Sequence, residues 1–426
     1  MRVSQQLAAE AVGAVLAGRN LTVALDHVYR TNPNITQQQR AGVQDLSYGT
    51  LRFYGHLQAL LKQLLEKPLQ DERIHTLLLV ALYQLNHDKA AAHTIVDQAV
   101  QAAGKYKKPW AKGLVNAVLR NFLRRREQLI AAVSKDEVAA FSYPAWWIVQ
   151  IKQQYPQAWQ SILEAGNRHP PMTLRVNRRY GSAEDYCRML TELGIQGKVL
   201  GGQAVMLAQP VPVDQIPGFR EGKVSVQDYG AQFAAPLLDV KAGLRVLDAC
   251  CAPGGKTGHI LELADVELVA LDSDQLRLQR TQSNLQRLGL QASLIQGDAA
   301  KPDQWWDGLA FDRILADVPC TASGIVRRHV DIKWLRREAD IASFAAQQAA
   351  ILPALWQLLA KGGKLLYATC SIFHEENQCQ VERFLEAQKD AEQLPLPPLQ
   401  NAHSHHGQLQ PTIEHDGFFY ALLQKN

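Results

Sequence analysis

"LRVLDACCAPGGKTG", residues 244–258, begins with a short apolar run and passes through two cysteines and a proline into a glycine pair. The apolar run reads as a buried strand. Gly254 and Gly255 read as a tight turn that lets backbone approach a ligand before a helix begins near Thr257. Four similar runs follow: "VELVALD" (266–272), "ASLIQGD" (292–298), "FDRILAD" (311–317) and "GKLLYATC" (363–370). They alternate with helical stretches, "DQLRLQRTQSNLQRLG" (274–289) and "DIASFAAQQAAILPALWQLLAKGG" (340–363), and "HDGFFYALLQ" (415–424) supplies a last strand. Alternation of this kind predicts a doubly wound, mostly parallel α/β sheet of Rossmann-like type.

Ligands of such sheets sit at the carboxyl ends of the strands. Three successive strands end there in an acid: Asp272, seventeen residues after Gly255, Asp298 and Asp317. A lone acid in such a place is usually a turn former or a helix cap. Three in series after a Gly-Gly turn point to a ligand, with Asp272 placed for ribose hydroxyls and Asp298 for an adenine edge. A phosphate-binding loop would need a glycine at position 250, where Cys250 stands, and no G-x-G-x-x-G pattern is present. A nucleoside cofactor surrounded by acids fits S-adenosylmethionine, whose sulfonium is positively charged.

Ahead of the sheet lie two other zones. The 426 residues, 47% of them hydrophobic, suffice for two or three domains. The first zone, to about residue 135, is predicted to be helical. "ERIHTLLLVALYQL" (72–85) and "GLVNAVLRNFLRRR" (113–126) each carry an apolar stripe at helical spacing. The opening "MRVSQQLAAEAVGAVLAGRN" has Glu10 inside its apolar run and no processing site, so an amphipathic helix of a soluble protein is expected. No stretch approaches the ~18 to 20 apolar residues of a membrane span.

Residues 1–135 hold 18 Lys+Arg against 9 Asp+Glu, whereas the remainder holds 27 against 32. The positive first zone therefore suits a polyanion. Residues 105–126 contain eight basic side chains and no acid, and Tyr106 and Trp110 lie among them. Asn116, Arg120 and Arg124 share one helix face; an RNA-binding surface with stacking aromatics and a plain solvated face both fit. Residues 140–225 read as a small α+β insertion in which Arg175, Arg178 and Arg179 cluster. A connector without a ligand fits it equally well.

The six cysteines form no C-x-x-C pair and no regular framework spacing, which argues against a zinc ribbon or a disulfide framework and suits a reducing cytoplasm. Cys320, in "LADVPCTASG" (315–324), and Cys370, in "LLYATCSI" (365–372), close two strands at one sheet edge. Cys187 and Cys379 read as small core residues. The tail "AHSHHG" (402–407) lacks ligand spacing and reads as a solvated loop; no metal is expected.

"DACCAPGGKT", "ADVPCTASG", "DIKW" (331–334) and "YATCS" resemble, in order, the motifs of the RNA cytosine-5 methyltransferases of the Fmu/Sun type. "GTLRFYG", "ALYQL" and "VNAVLRNF" are similar to the NusB-like RNA-binding domain that precedes the catalytic domain in bacterial members acting on small-subunit ribosomal RNA, and "LRVN" (174–177) to their connecting segment. Cys251 departs from the family, which more often has alanine there. The resemblance implies three domains: 1–138 NusB-like and all-α, 139–225 small α+β, and 226–426 catalytic.

It also implies an enzyme that methylates C5 of one cytosine of 16S rRNA, position 967 in the reference numbering; a cytoplasmic monomer without membrane or metal is expected from the cysteine usage and from the lack of an apolar span and of a heptad seam. The substrate is the free RNA or a small-subunit assembly intermediate. Cys370 would attack C6 as a thiolate, Cys320 would assist product release as acid or base, and Asp317 would meet the cytosine edge or the cofactor. S-adenosylmethionine would be held by Cys250, Cys251, Ala252, Pro253, Gly254, Gly255 and Lys256 of the turn, with Asp272, Arg277, Asp298 and Asp317. RNA contacts fall to Lys105, Lys107, Lys108, Lys112, Arg120, Arg124 and Arg175. Lys256 and Lys333 either lend a thiolate electrostatic help or are salt-bridged surface lysines. Two rivals stay open: a DNA cytosine-5 methyltransferase attacking through Cys320, and a non-catalytic RNA-binding assembly factor.

Overall fold

The computed structural model describes residues 2–399, 402 and 404–426. The chain gathers into two compact units: residues up to Arg168 together with Val326–Glu338, and His169–Ile325 together with Ala339–Asn426.

The first unit is built on α1 (Arg2–Leu16), α2 (Leu21–Thr31), α3 (Gln37–Arg52), α4 (Tyr54–Leu64), α5 (Glu72–Asn86), α6 (Ala92–Gly104) and α7 (Ala111–Val133). Side chains cap the exposed amide ends: Asn20 serves α2, Asp71 serves α5, and Thr36 with Gln39 forms a reciprocal box on α3. In α7 the stripe Val115, Val118, Leu119 and Phe122 is buried, as its spacing predicts. By contrast α5 is buried on all sides from Thr76 to Leu85, so it is the central helix of the unit and not an amphipathic one.

The residues after Val326, which the motifs place in the catalytic span, belong to this helical unit. Their short helix, Ile332–Leu335, is tied in by buried polar bonds. Asp331 accepts from the Leu21 amide (2.9 Å) and from Asn20 Nδ2 (3.0 Å) at the start of α2. Trp334 Nε1 donates to the Leu51 carbonyl at 2.7 Å. Lys333 is fully buried; its ammonium donates to the carbonyls of Arg52 and Ser142 and to Asn167 Oδ1, each at 2.8 Å, and lies over the Tyr143 ring.

In the second unit, β1 (Thr173–Val176), β2 (Gly197–Gly201), β3 (Ala204–Leu207) and β4 (Val224–Val226) make an antiparallel sheet of order β2-β3-β1-β4. The helix Ala183–Glu192 packs on it through Ala183, Tyr186 and Leu190.

The larger sheet uses β5 (Arg245–Ala249), β6 (Glu267–Asp272), β7 (Ser293–Gln296), β8 (Phe311–Asp317), β9 (Leu359–Thr369), β10 (Ala391–Leu394), β11 (Ser404–His405), β12 (Gln408–Leu409) and β13 (Phe418–Lys425). Its order among the described residues is β11-β12-β13-β9-β8-β5-β6-β7, with β10 on β13. The block β9-β8-β5-β6-β7 is parallel and the rest antiparallel, so the sheet is mixed. Strand order reverses between β5 and β8, which opens a crevice at their carboxyl ends. The helical stretch expected to reach Gly363 ends at Gln357, because Leu359 already pairs with Phe311 and the left-handed Gly362 (φ +77) accompanies a register shift in β9.

Of the tail read as a solvated loop, His403 lies outside the described residues, and Ser404–His405 pair with Gln408–Leu409. Among the described residues no cluster of three metal-ligating side chains occurs, and no helix is long and apolar enough to cross a membrane.

Candidate active site

The turn after β5 is strained where it meets the crevice. Cys250 (φ +66) and Gly254 (φ +88) are both left-handed, and a side chain on Gly254 would sit 2.8 Å from Thr281. The helix Gly255–Leu263 starts from this turn, two residues earlier than its sequence suggests. Asp248 is wholly buried on β5. One carboxylate oxygen accepts from Thr257 Oγ1 at 2.6 Å, and the other finds no hydrogen-bond partner among the described residues. Burial raises this carboxyl to about 7, against the pull of the Thr257 hydroxyl.

Asp272, at the end of β6, accepts from the amides of Ala252 (3.1 Å) and Asp274 (3.0 Å). Arg277 donates to the Ala252 carbonyl at 2.6 Å, so the acid and the base together brace the turn. Asp298, beyond β7, accepts from the Ala300 amide and is half exposed. A small cleft opens between Cys250, Asp272, Arg277, Asp298, Pro319 and Ile351. Two roomier hollows, along the helix Gln275–Leu288 and beside His259, are lined by neither acid nor thiol among the described residues.

At the ends of β8 and β9 the two cysteine loops meet. Cys320 Sγ lies 3.4 Å from Cys370 Sγ, with Cys320 buried and Cys370 partly open. The sulfur of Cys370, and then burial, hold the Cys320 proton well above the ordinary thiol range. Lys256 Nζ lies 2.6 Å from Asp317 Oδ2. Burial opposes the Lys256 charge, but the Asp317 carboxylate outweighs it and leaves the ammonium above its ordinary value.

The loops are fastened by a buried carboxylate, Glu376. Its Oε1 accepts from the Thr321 amide at 2.7 Å, and its Oε2 from Thr321 Oγ1 and Ser371 Oγ, both at 2.5 Å. Ser323 Oγ lies 2.9 Å from Ser371 Oγ and accepts from the Ile372 amide at 2.9 Å. Gly324 also donates its amide to the Cys370 carbonyl at 2.9 Å.

The chain resembles known proteins over its whole length. Ribosomal RNA small subunit methyltransferase B of Pseudomonas syringae pv. tomato is 44% identical over 98% of this chain and 96% of its own length. The chain belongs to the 16S rRNA methyltransferase RsmB/F family. The RsmB/F match itself covers residues 235–424, a methyltransferase RsmF/B-like ferredoxin-like domain residues 143–214, and the NusB family residues 2–124. The Vibrio cholerae protein of the same name is 43% identical over 100% of this chain and 98% of its own length. A solved methyltransferase homolog from Pyrococcus horikoshii matches 68% of this chain and 98% of its own, at TM-score 0.60 and 28% identity.

Within this RsmB/F chain the residues expected at the cofactor turn and at the paired thiols do converge on one crevice. Two expectations need correction. Arg175, grouped with the RNA-contacting cations, is buried and tied inward: its guanidinium bonds Glu262 through both oxygens (2.7 and 3.0 Å), Gln227 Oε1 and the Gly255 carbonyl, so no phosphate at the surface reaches it. Lys333 is no surface lysine, and its ammonium is spent on the helical unit, where burial pulls it well below its ordinary range. Of the remaining cations, Lys105, Lys107, Lys112, Arg120 and Arg124 are exposed, whereas Lys108 is partly buried and paired with Asp71.

Sequence reasoning missed Asp248, Glu262 and Glu376. "HEENQ" reads as acids at a helix start. Nothing in that run separates Glu376, which is buried, from its neighbour Glu375; only the fold does so.

Proposed function

We propose that this chain transfers a methyl group from S-adenosylmethionine to C5 of a cytosine in 16S rRNA through a covalent adduct on Cys370. The observation that carries the reading is the pair of thiols 3.4 Å apart at the edge of a methyltransferase sheet, beside the Lys256–Asp317 pair. Relatives at 41–44% identity are named as small-subunit rRNA methyltransferases.

The turn from Cys250 to Lys256, with Asp272, Arg277, Asp298 and Asp317, would hold the cofactor. The partnerless oxygen of Asp248 behind that turn and the cleft among the acids suit a polar nucleoside. When bound, S-adenosylmethionine supplies an electrophilic methyl group on a positive sulfur.

The chain's residues supply the rest. Cys370 adds to C6, which moves electron density onto C5 so that C5 can take the methyl. Solvent then takes the C5 proton, the C–H electron pair re-forms the C5–C6 double bond, and Cys370 leaves C6 as a thiolate, which restores the aromatic base. Cys320 keeps its proton on a sulfur 3.4 Å from Cys370, where an S–H donor steadies the departing thiolate. Asp317, paired with Lys256, faces the cytosine edge or the cofactor and orients what it meets.

RNA contacts fall to Lys105, Lys107, Lys112, Arg120 and Arg124, with Lys108 partly committed to Asp71. Trp110 is 47% exposed, enough ring for a base to stack on. The spans 1–138, 139–225 and 226–426 then act as RNA-binding, connecting and catalytic domains of a cytoplasmic monomer, except that the residues from 139 to Arg168 and Val326–Glu338 belong to the helical unit.

Purified protein with methyl-labelled S-adenosylmethionine and 16S rRNA tests the reading. Label recovered as 5-methylcytosine at one site, cytosine 967 on the family resemblance, is the expected result. Label on another atom or base, or on DNA in preference to RNA, would overturn it.

A further inference from the structure

The two cysteine loops leave different strands fifty residues apart in sequence, yet a single side chain sits under both. Glu376 is wholly buried, and its carboxylate receives the residue immediately after Cys320 and the residue immediately after Cys370. Three short bonds to one carboxylate, two from hydroxyls, are of the charge-assisted kind that fixes geometry most firmly. Further bonds extend the bracket outward. Gln348 Nε2 reaches Glu376 Oε1 (3.4 Å) and the Pro319 carbonyl (2.8 Å) just before Cys320. Tyr367 OH donates to the Glu376 carbonyl at 2.7 Å, anchoring the acid to β9. Asn377 joins Ser371 to β9, donating to the Ser371 carbonyl at 2.9 Å and accepting from Thr369 Oγ1 at 2.6 Å.

We infer that Glu376 is the positioning residue of the thiol pair: by holding Thr321 and Ser371 on one carboxylate it sets the distance between Cys320 and Cys370 that lets both act on one base. The inference rests on the two-cysteine reading above. The negative charge of Glu376 also disfavours a second charge on Cys320, behind the larger effects of Cys370 and burial, so the same residue helps keep the proton on Cys320.

The separation of two thiols can be read without RNA or turnover. Phenylarsine oxide condenses with two thiols to form two As–S bonds and releases one water, and it does so only when the sulfurs lie close together. The portion of this binding that disappears in Cys320→Ala belongs to the pair, which separates it from any binding at Cys250 and Cys251.

In Glu376→Gln the amide matches the carboxylate in shape but sets an N–H group against donors and carries no charge. Its pair-specific arsenical affinity should fall about tenfold, and kcat should fall by at least that much, while KM for RNA and cofactor affinity stay within about twofold. A role confined to stability would lower the melting temperature and leave arsenical binding at 20 °C unchanged; that result, or an unchanged kcat, overturns the inference. If Glu376→Gln does not fold, Ser371→Ala removes the hydroxyl bond to the same carboxylate, together with that hydroxyl's contacts to Ser323 Oγ and the Phe373 amide, and unchanged arsenical binding there overturns the inference equally. Failure of the two-cysteine reading shows separately, as single cysteine-to-alanine variants that retain full turnover.

Discussion

At the scale of single residues, the site depends on charges kept in unusual states. Asp248 holds its proton up to about 7 because the fold buries it. The unfolded chain releases that proton at about 4. Between these values the folded state binds the extra proton, so stability falls as pH rises through the window. Asp248→Asn has no proton to lose. Its urea midpoint, relative to that of the native protein, is therefore expected to climb between pH 4 and pH 8, and parallel profiles would contradict the assignment. Little of this was legible beforehand. Asp272, Asp298 and Asp317 announce themselves by ending strands, whereas Asp248 lies inside one, where its sequence neighbours are all apolar.

At the scale of elements, the crevice depends on how closely two loops approach. A side chain at Gly324 would lie 2.2 Å from the Gly417 carbonyl oxygen and 2.9 Å from that of Cys370, both of them backbone atoms that cannot swing away. Gly324→Ala is expected to cost about 2 kcal/mol or more of stability and to abolish methyl transfer by displacing the Cys370 loop. Denaturant titration with an activity assay checks it, and native values in both would refute the crowding argument. The parallel strands and the glycine turn were readable because periodicity and strand-end chemistry are local signals. The excursion of Val326–Glu338 into the helical unit was not. "DIKW" marks a motif but carries no sign that its lysine is buried under the carbonyls of Arg52 and Ser142. Likewise, an arginine near two others reads as a basic patch, and only the partner Glu262, 87 residues later, turns Arg175 into a structural tie.

At the scale of the whole molecule, charge is segregated: 18 basic against 9 acidic residues to position 135, and the opposite balance beyond it. If the exposed cations of residues 105–126 meet RNA phosphates, affinity should fall steeply with salt, by about 0.7 in log K per log salt for each contact to a single strand. Neutralising Lys105, Lys107, Lys112 and Arg124 together should flatten that slope by about 3. A slope identical to the native one would place the RNA elsewhere.

In the proposed mechanism Cys370 attacks and Cys320 releases. Its most direct test incubates Cys320→Ala and Cys370→Ala separately with 16S rRNA and S-adenosylmethionine, then resolves protein and RNA on a denaturing gel. A covalent protein–RNA adduct is expected to accumulate in Cys320→Ala and to be absent in Cys370→Ala. An adduct trapped by Cys370→Ala and missing in Cys320→Ala would contradict it and make Cys320 the nucleophile.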